Sequence, residues 1–215
     1  MKDYKVVLFD LDGTLTDPGE GITNSVMYAL KKYGIDVEDR RTLYKFIGPP
    51  LHESFENFYD FSEEEAQRAV SYYREYYSEK GIFENALYDG MKEVLEQLTK
   101  SGKQLMVATS KPEYFANQIL EHFGIAEYFS FVAGANMDGS RTKKEDVIAY
   151  ALQQCKQVDV SEILMIGDRK FDILGAKKFG IDSAGVLFGY GEKQELEDAG
   201  ATYLIEKPKD IVELL

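Results

Sequence analysis

The chain has a single cysteine and lacks long apolar runs, which are features of disulfide-bonded and membrane-spanning proteins. It contains one cysteine, Cys155, so no disulfide can form within the chain. No histidine lies near Cys155 in sequence, and we expect a structural thiol there rather than a nucleophile. The N-terminus enters a predicted strand without a signal-peptide pattern, and no apolar run approaches the length of a membrane span. These absences predict a protein of the reducing cytoplasm that does not enter a membrane.

Positive charge is also scarce. The sequence has 25 Lys and Arg residues against 38 Asp and Glu residues, which gives a formal net charge of −13. Such a surface argues against binding to nucleic acid polymers or anionic membranes. A small phosphorylated molecule stays compatible with it, because a few local cations and a metal ion can reverse the field inside a pocket.

The pattern of apolar residues predicts an α/β fold with an insertion. Short apolar runs alternate with amphipathic helices, which is typical of a Rossmann-like parallel sheet with helices on both faces. Between the first strand and the next, the segment 16–83 reads as all helix, with a capping-box spacing from Ser62 to Glu65 and no strand signal. We therefore expect a core formed by 1–15 and 84–215 and a helical domain at 16–83. The predicted strands are 6–9, 104–109, 129–133, 163–166, 183–187 and 202–205.

The first predicted strand ends in two aspartates. Asp10 and Asp12 are two residues apart, so on an extended backbone their side chains point the same way. Gly13 lets the backbone turn tightly next to them. Two crowded carboxylates are costly unless a cation or a shared proton relieves their repulsion, and this pair is the first indication of a metal site.

Polar residues also follow the other predicted strands, at the sheet edge where ligands bind in such folds. Asp168 and Asp172 bring the carboxylates to four, and oxygen ligands with open water positions suit Mg²⁺. Asp172 taken alone is equally well explained as a helix N-cap. Thr109 and Ser110 precede a predicted helix and can form a phosphate seat. Lys143 and Lys144 precede another helix whose N-terminus faces the same edge.

Together these residues resemble the four motifs of the haloacid dehalogenase-like (HAD) hydrolase superfamily. Asp10-Leu11-Asp12-Gly13-Thr14 resembles its first motif, and the strand ending in Thr109 its second. Lys144 or Lys143 resembles the third, and Gly167-Asp168 with Asp172 the fourth. The helical insertion is similar to the type-one (C1) cap of the family, and the segment 47–51 resembles the phosphoglycolate phosphatase-like branch.

The resemblance implies a role for each site residue. Asp10 would be the nucleophile that becomes an aspartyl phosphate, and Asp12 the group that protonates the leaving alcohol and then deprotonates water. Mg²⁺ would be held by Asp10, by the backbone carbonyl of Asp12 and by Asp168, with Asp172 ordering the site without direct contact to the metal or through a water molecule. Phosphate would be bound by Thr109, by Ser110, which stands where many relatives carry asparagine, and by a lysine. Spacing to the following apolar residues favours Lys144 over Lys143.

The implied substrate is a small phosphorylated metabolite. The implied activity is that of a phosphoglycolate phosphatase-like phosphomonoesterase. We expect the protein to be a monomer or a weak dimer. Binding of phosphoglycolate would require a positively charged side chain from the inserted domain. The candidates are Arg40, Arg41 and Lys45. A 5′-nucleotidase is the alternative, with an aromatic platform supplied by Phe46, Phe55 or Tyr59. A non-catalytic phosphometabolite-binding protein is the alternative from another class, which the intact set of motif residues disfavours.

Overall fold

A computed structural model describes residues 2–155 and 157–215. It contains a six-stranded sheet in which all neighbouring strands are parallel and the order is β5-β4-β1-β6-β7-β8. The strands are β1 (Val6–Phe9), β4 (Gln104–Pro112), β5 (Phe129–Ala135), β6 (Ile163–Gly167), β7 (Asp182–Val186) and β8 (Tyr203–Ile205). The predicted α/β class with a parallel sheet is confirmed.

Strand β1 lies at the centre of this sheet. It pairs with β4 on one side and β6 on the other, so that Phe9 is opposite both Val107 and Ile166. Its four side chains are fully buried. Since alternate side chains of a strand point to opposite faces, both faces of the sheet are covered at β1. The chain adds strands to one side of β1 and later to the other, which makes the ends of β1, β4 and β6 a switch point where ligands bind in open α/β sheets.

Helices connect the parallel strands. Those of the sheet unit are α4 (Met91–Lys100), α5 (Glu113–His122), α6 (Lys144–Leu152), α7 (Lys170–Lys178), α8 (Lys193–Ala199) and α9 (Asp210–Leu214). Val147, Ile148 and Ala151 of α6 pack with Met106 and Met165 of the sheet in one apolar cluster. Helices α5, α6 and α7 each begin just after or near a strand end, so their N-termini lie toward the polar edge described below.

The chain divides into two compact units. One runs to Thr16 and resumes from Leu87 to Leu215, and the other is Asp17–Ala86. The second, called here the helical unit, holds α1 (Gly19–Lys31), α2 (Leu51–Tyr59) and α3 (Glu63–Tyr76), with a 3₁₀ helix at Arg40–Phe46 and a π-turn at Tyr77–Gly81. Helix α3 starts with the predicted capping box, in which Ser62 and Glu65 bond each other's backbone N–H groups.

Several local expectations were wrong. The two-residue strands β2 (Thr16–Asp17) and β3 (Ala86–Leu87) pair with each other, although 16–83 carries no strand signal. The sequence predicts that Asp89 caps α4, but Gly90, with its backbone in the left-handed region, holds the N-cap position. The sequence predicts a helix over 144–156 that includes Cys155, but α6 ends at Leu152 and the buried Cys155 follows it; residue 156 lies outside the described residues. No helix in the described ranges combines the length and apolar character that crossing a membrane requires.

Candidate active site

The turn after β1 places two aspartates at the sheet edge. Asp10 N donates to Ile166 O at 2.9 Å, which continues the pairing of β1 with β6 by one residue. Gly13 then adopts φ +82° and donates its N–H to Thr16 O at 2.7 Å, closing a tight loop. Asp10 and Asp12 are 4% and 9% exposed. Both carboxyl groups are therefore held in a buried pocket by the backbone of one short segment.

Three of the predicted carboxylates converge. Asp10, Asp168 and Asp172 each offer an oxygen, and these oxygens lie within 4.8 Å of one another. Glycines make this approach possible: a Cβ on Gly13 would overlap the Asp168 carboxylate, and a Cβ on Gly167 would overlap that of Asp172. Asp172 Oδ2 also accepts from Arg169 N at 3.1 Å. Asp172 is therefore not the N-cap weighed from sequence: Arg169 holds that position, and Asp172 is the third residue of α7 as well as a member of the cluster.

Lys144 is the cation at this cluster. Its Nζ lies 2.8 Å from Asp10 Oδ1 and 2.8 Å from Asp172 Oδ1, and it donates to Ala108 O at 3.0 Å. Lys144 is 5% exposed, whereas Lys143 is an exposed residue at the N-cap of α6. The structure therefore brings Lys144, and not Lys143, to the aspartates.

A second lysine, which the sequence reasoning did not assign, contacts Asp12. Lys111 Nζ lies 2.6 Å from Asp12 Oδ2, and both side chains are buried. The carboxyl group of Asp12 thus contacts a residue of β4, and it is not one of the three carboxylates that converge. No sequence pattern marks this contact, because residues 109–111 lie in an irregularity of β4 between the pairs Ala108–Ala133 and Pro112–Ala135.

The residues of the predicted phosphate seat lie beside this pair. Thr109 is buried, and its Oγ1 accepts from Lys111 N at 3.2 Å. A hydroxyl that accepts in this way can still donate its own proton to a phosphoryl oxygen. Ser110 is half-buried at the next position. The geometry thus presents the Thr109 hydroxyl to the edge and leaves Ser110 less enclosed.

A loop after β7 also reaches the cluster, and sequence reasoning missed it. Tyr190 N donates to Asp168 Oδ2 at 2.8 Å. Gly189 and Gly191 flank it, and a Cβ on either would overlap backbone or side-chain atoms of the site. Because this contact comes from a backbone N–H, no side-chain type marks it in the sequence.

The electrostatics of the cluster favour a bound cation. Burial raises the pKa of Asp168 well above its ordinary value, and the charges of Asp172 and Asp10 add to this effect. Burial likewise raises the pKa of Asp172 to about 6, against the opposing effect of Lys144. Burial also raises the pKa of Asp12, against the effect of Lys111. For Lys144, burial works toward a lower pKa, but the charges of Asp10 and Asp172 outweigh it and raise the pKa.

A count of charges points the same way. Among the described residues, four buried carboxyl groups at this edge face the two buried ammonium groups of Lys111 and Lys144, so ionisation of all four would leave an excess of two negative charges. Asp168 Oδ1 is buried and has no hydrogen-bond partner in the described ranges. One divalent ion bound by carboxylate oxygens would neutralise this excess and satisfy that atom. The residues present therefore fit a hard divalent cation.

A model of the family described as haloacid dehalogenase-like hydrolase matches residues 7–186. The chain belongs to this family. The match runs from β1 through β7 and so includes every strand end that contributes to the site, together with the helical unit of this hydrolase.

Curated relatives extend the match over most of the hydrolase. A 5′-nucleotidase of Pseudomonas aeruginosa is 47% identical over 193 residues, 90% of this chain and 87% of that protein. A tyrosine-protein kinase PtkA of Mycobacterium tuberculosis is 41% identical, over 92% of this chain and 67% of that protein. A phosphoglycolate phosphatase of Vibrio parahaemolyticus is 30% identical over 100% of this chain and 97% of that protein.

A solved structure agrees with the fold. The crystal structure of a predicted phosphatase from Clostridium acetobutylicum superposes with a TM-score of 0.95 at 48% identity, covering 99% of this chain and 98% of that one. The resemblance to the HAD superfamily and its phosphoglycolate phosphatase-like branch is confirmed by these relatives, and so is the expected enzyme class, a phosphatase.

The residues of the helical unit that were predicted to contact substrate differ in their exposure and in their contacts. Phe46 and Phe55 are 2% and 0% exposed and pack on each other in a T-shaped contact at 5.1 Å, so the expectation that they provide an open platform was wrong. Tyr59 is half-buried beside them. Arg40 donates to Asn24 Oδ1 at 2.7 Å, and Arg41 pairs with Asp39. Lys45 is exposed and lies over the ring of Phe58.

Proposed function

We propose that this hydrolase is a Mg²⁺-dependent phosphomonoesterase that works through an aspartyl phosphate on Asp10. The observation that carries the proposal is the buried contact of Lys144 Nζ with Asp10 Oδ1 at 2.8 Å, within a cluster of three carboxylates. A buried carboxylate held between a lysine and further acids is oriented for attack on an electrophile that carries negative charge of its own.

The first step transfers the phosphoryl group to the protein. Asp10 Oδ1 is held by Lys144 and by the N–H of Leu11 at 2.8 Å, which leaves Oδ2 as the attacking oxygen. As the bond from Oδ2 to phosphorus forms, the ester P–O bond breaks and its electron pair stays on the leaving oxygen. Asp12 gives that oxygen a proton, and the alcohol departs.

The second step releases inorganic phosphate. Asp12, now a carboxylate, takes a proton from a water molecule that attacks phosphorus, and the bond from phosphorus to Asp10 breaks. Thr109 and Lys144 bind the phosphoryl oxygens in both steps. Ser110 is proposed as a further contact with the phosphate.

Mg²⁺ is proposed to bind through the carboxylates of Asp10 and Asp168 and the backbone carbonyl of Asp12. Asp172 Oδ1 lies 2.8 Å from Lys144 Nζ, which supports the proposal that Asp172 orders the site. When bound, Mg²⁺ would supply the positive charge that lets the phosphate approach a site crowded with carboxylates.

The substrate is proposed to be a small phosphorylated metabolite. There are two candidate substrates. One is phosphoglycolate, because the sequence resembles the phosphoglycolate phosphatase-like branch, and the other is a nucleoside 5′-monophosphate. The second is favoured by the 47% identity to a protein named 5′-nucleotidase, against 30% to one named phosphoglycolate phosphatase. The protein is proposed to act in the cytoplasm as a monomer or weak dimer, without nucleic acid polymers or membranes as partners.

The test compares hydrolysis of p-nitrophenyl phosphate, phosphoglycolate and nucleoside 5′-monophosphates, each with Mg²⁺ and with a chelator. We expect release of inorganic phosphate that needs the metal, with the physiological class ranked first by kcat/KM, because that ratio measures discrimination. Asp10→Asn protein is the control and should be folded and inactive.

Other results would redirect the assignment. Absence of turnover with every divalent metal would contradict the proposal and favour the non-catalytic phosphometabolite-binding alternative. Transfer of a phosphoryl group from ATP to tyrosine, in place of hydrolysis, would favour the activity in the name of the PtkA relative.

A further inference from the structure

Strand β4 is irregular where it enters the site. Ala108 is opposite Ala133 of β5, and the next paired residue, Pro112, is opposite Ala135. Strand β4 therefore advances four residues while β5 advances two, and the additional residues fall in Thr109, Ser110 and Lys111. Such bulges re-aim side chains near active sites. Here the bulge carries the Lys111 ammonium group to Asp12 of the neighbouring strand end.

The contact between Lys111 and Asp12 is one-sided. Asp12 Oδ2 lies 2.6 Å from Lys111 Nζ, whereas Asp12 Oδ1 is buried with no hydrogen-bond partner among the described residues. One oxygen of the carboxyl group is thus held by Lys111, and the other is buried and receives no hydrogen bond from the described residues. A carboxyl group held in this way keeps a single orientation that a solvated side chain would not keep.

The same short segment also positions the phosphate seat. Lys111 N donates to Thr109 Oγ1 at 3.2 Å, so the hydroxyl proposed to bind the phosphoryl group and the tether of Asp12 belong to one turn of backbone. Lys111 therefore contacts both the Thr109 hydroxyl and the Asp12 carboxyl group, and a shift of this segment would move the two together. A displacement of about 1 Å between reacting groups can cost on the order of 100-fold in rate.

We propose that Lys111 is a positioning residue that holds the Asp12 carboxyl group toward the leaving oxygen of the substrate. This inference rests on the proposed function. It differs from a role as a second phosphate ligand, in which Lys111 would act on the phosphoryl oxygens directly. It also differs from a purely structural ion pair, which would affect all substrates alike.

These roles are separated by the acidity of the leaving group. Acidic phenols depart without a proton, whereas weakly acidic ones need the proton from Asp12. Loss of the contact between Lys111 and Asp12 should therefore lower kcat/KM only slightly for 2,4-dinitrophenyl phosphate and strongly for phenyl phosphate. The quantity to compare is kcat/KM, because it reports the steps up to departure of the first leaving group.

The experiment measures kcat/KM with saturating Mg²⁺ for an aryl phosphate series, using wild type, Lys111→Met, Lys111→Arg, Asp12→Asn and the double variant Lys111→Met/Asp12→Asn. We expect Lys111→Met to lose less than about 5-fold with dinitrophenyl phosphate and about 100-fold with phenyl phosphate, the size typical of one general acid. Lys111→Arg should recover part of that loss. Lys100→Met, an exposed lysine, is the matched control and should behave as wild type.

The double variant shows whether Lys111 acts through Asp12. In the Asp12→Asn background, Lys111→Met should cost less than about 3-fold, since coupled residues are not additive. A uniform loss along the series, full additivity, or no loss would each overturn the proposal. If Lys111→Met does not fold by circular dichroism, Lys111→Gln and Lys111→Arg carry the same comparison. A wild type that hydrolyses none of the series refutes the proposed function itself, and this inference with it.

Discussion

Each lysine at the site is paired with particular aspartates. Lys144 contacts Asp10 and Asp172, and Lys111 contacts Asp12. Removing one partner of a buried ion pair leaves a charge without compensation, which typically costs about 3–5 kcal/mol. The two lysines therefore matter for stability as well as for the proposed chemistry.

The first prediction separates Lys144 from its neighbour. Lys144→Met should lower kcat/KM for phosphomonoesters by about 1,000-fold, because the variant loses a preorganised positive charge at the nucleophile. Lys143→Met should change it by less than about 3-fold, since an exposed ammonium group is screened by water. Steady-state kinetics on both purified variants checks this. Equal losses, or a larger loss in Lys143→Met, would contradict the assignment.

At the level of single residues, the sequence predicted the positions of those polar residues that directly follow a strand. Asp10, Asp12, Asp168 and Thr109 follow buried apolar runs, and parallel strands place their carboxyl ends together. The link between Lys111 and Asp12 could not be predicted in this way, because it depends on a bulge that β4 acquires only when paired with β5. The N–H of Tyr190 was missed for a related reason: every residue except proline carries that donor.

At the scale of elements, the turn after β1 is the critical connection. Gly13 needs both its positive φ and the absence of a side chain, since a Cβ would overlap Asp168. Gly102 has a similar φ of +79°, but a Cβ there would meet nothing within 4 Å. The two glycines therefore separate backbone strain from crowding of the carboxylates.

The second prediction uses this pair. Gly13→Ala and Gly102→Ala should each lose about 1 kcal/mol of unfolding free energy from the left-handed backbone. Gly13→Ala should in addition lose at least about 100-fold in kcat/KM, because Asp168 must move. Chemical denaturation and kinetics measure the two effects. An active Gly13→Ala enzyme would show that the position of Asp168 is not critical.

The order of strands and helices was predictable because apolar periodicity changes sharply between them. The capping box at Ser62 was predictable for the same kind of reason, since its residues bond within one turn. The two-residue strands β2 and β3 were not, because each is stabilised by a partner about seventy residues away and not by its own sequence.

At the scale of the whole molecule, the acidic cluster couples metal binding, protonation and stability. The pKa of Asp172 is raised from 3.8 to about 6, and burial raises that of Asp168 well above its ordinary value. The folded state thus holds these protons more tightly than the unfolded chain. Their contribution to the free energy of unfolding is complete below about pH 4 and, for Asp172, is lost as the pH rises through about 6.

The third prediction follows from the loss of these protons as the pH rises. Mg²⁺ needs deprotonated carboxylates, so its stabilising effect should grow with pH over the same window. We expect the rise in Tm on adding Mg²⁺ to be below about 2 °C at pH 5 and about 5 °C or more at pH 7.5. Differential scanning calorimetry measures it, with Asp168→Asn as the control that loses the rise. A rise that is constant or falls with pH would contradict a metal held by these carboxylates.

The central claim is that Asp10 carries the phosphoryl group between the two steps. The direct measurement is acid quenching of Asp12→Asn protein during reaction with 2,4-dinitrophenyl phosphate and Mg²⁺, followed by peptide mass spectrometry. Asp12→Asn slows release of phosphate, while the acidic leaving group still departs, so the intermediate should accumulate. We predict a hydroxylamine-sensitive phosphoryl group on Asp10 that is absent from the Asp10→Asn/Asp12→Asn protein. A phosphoryl group on another residue, or none during measurable turnover, would contradict the account.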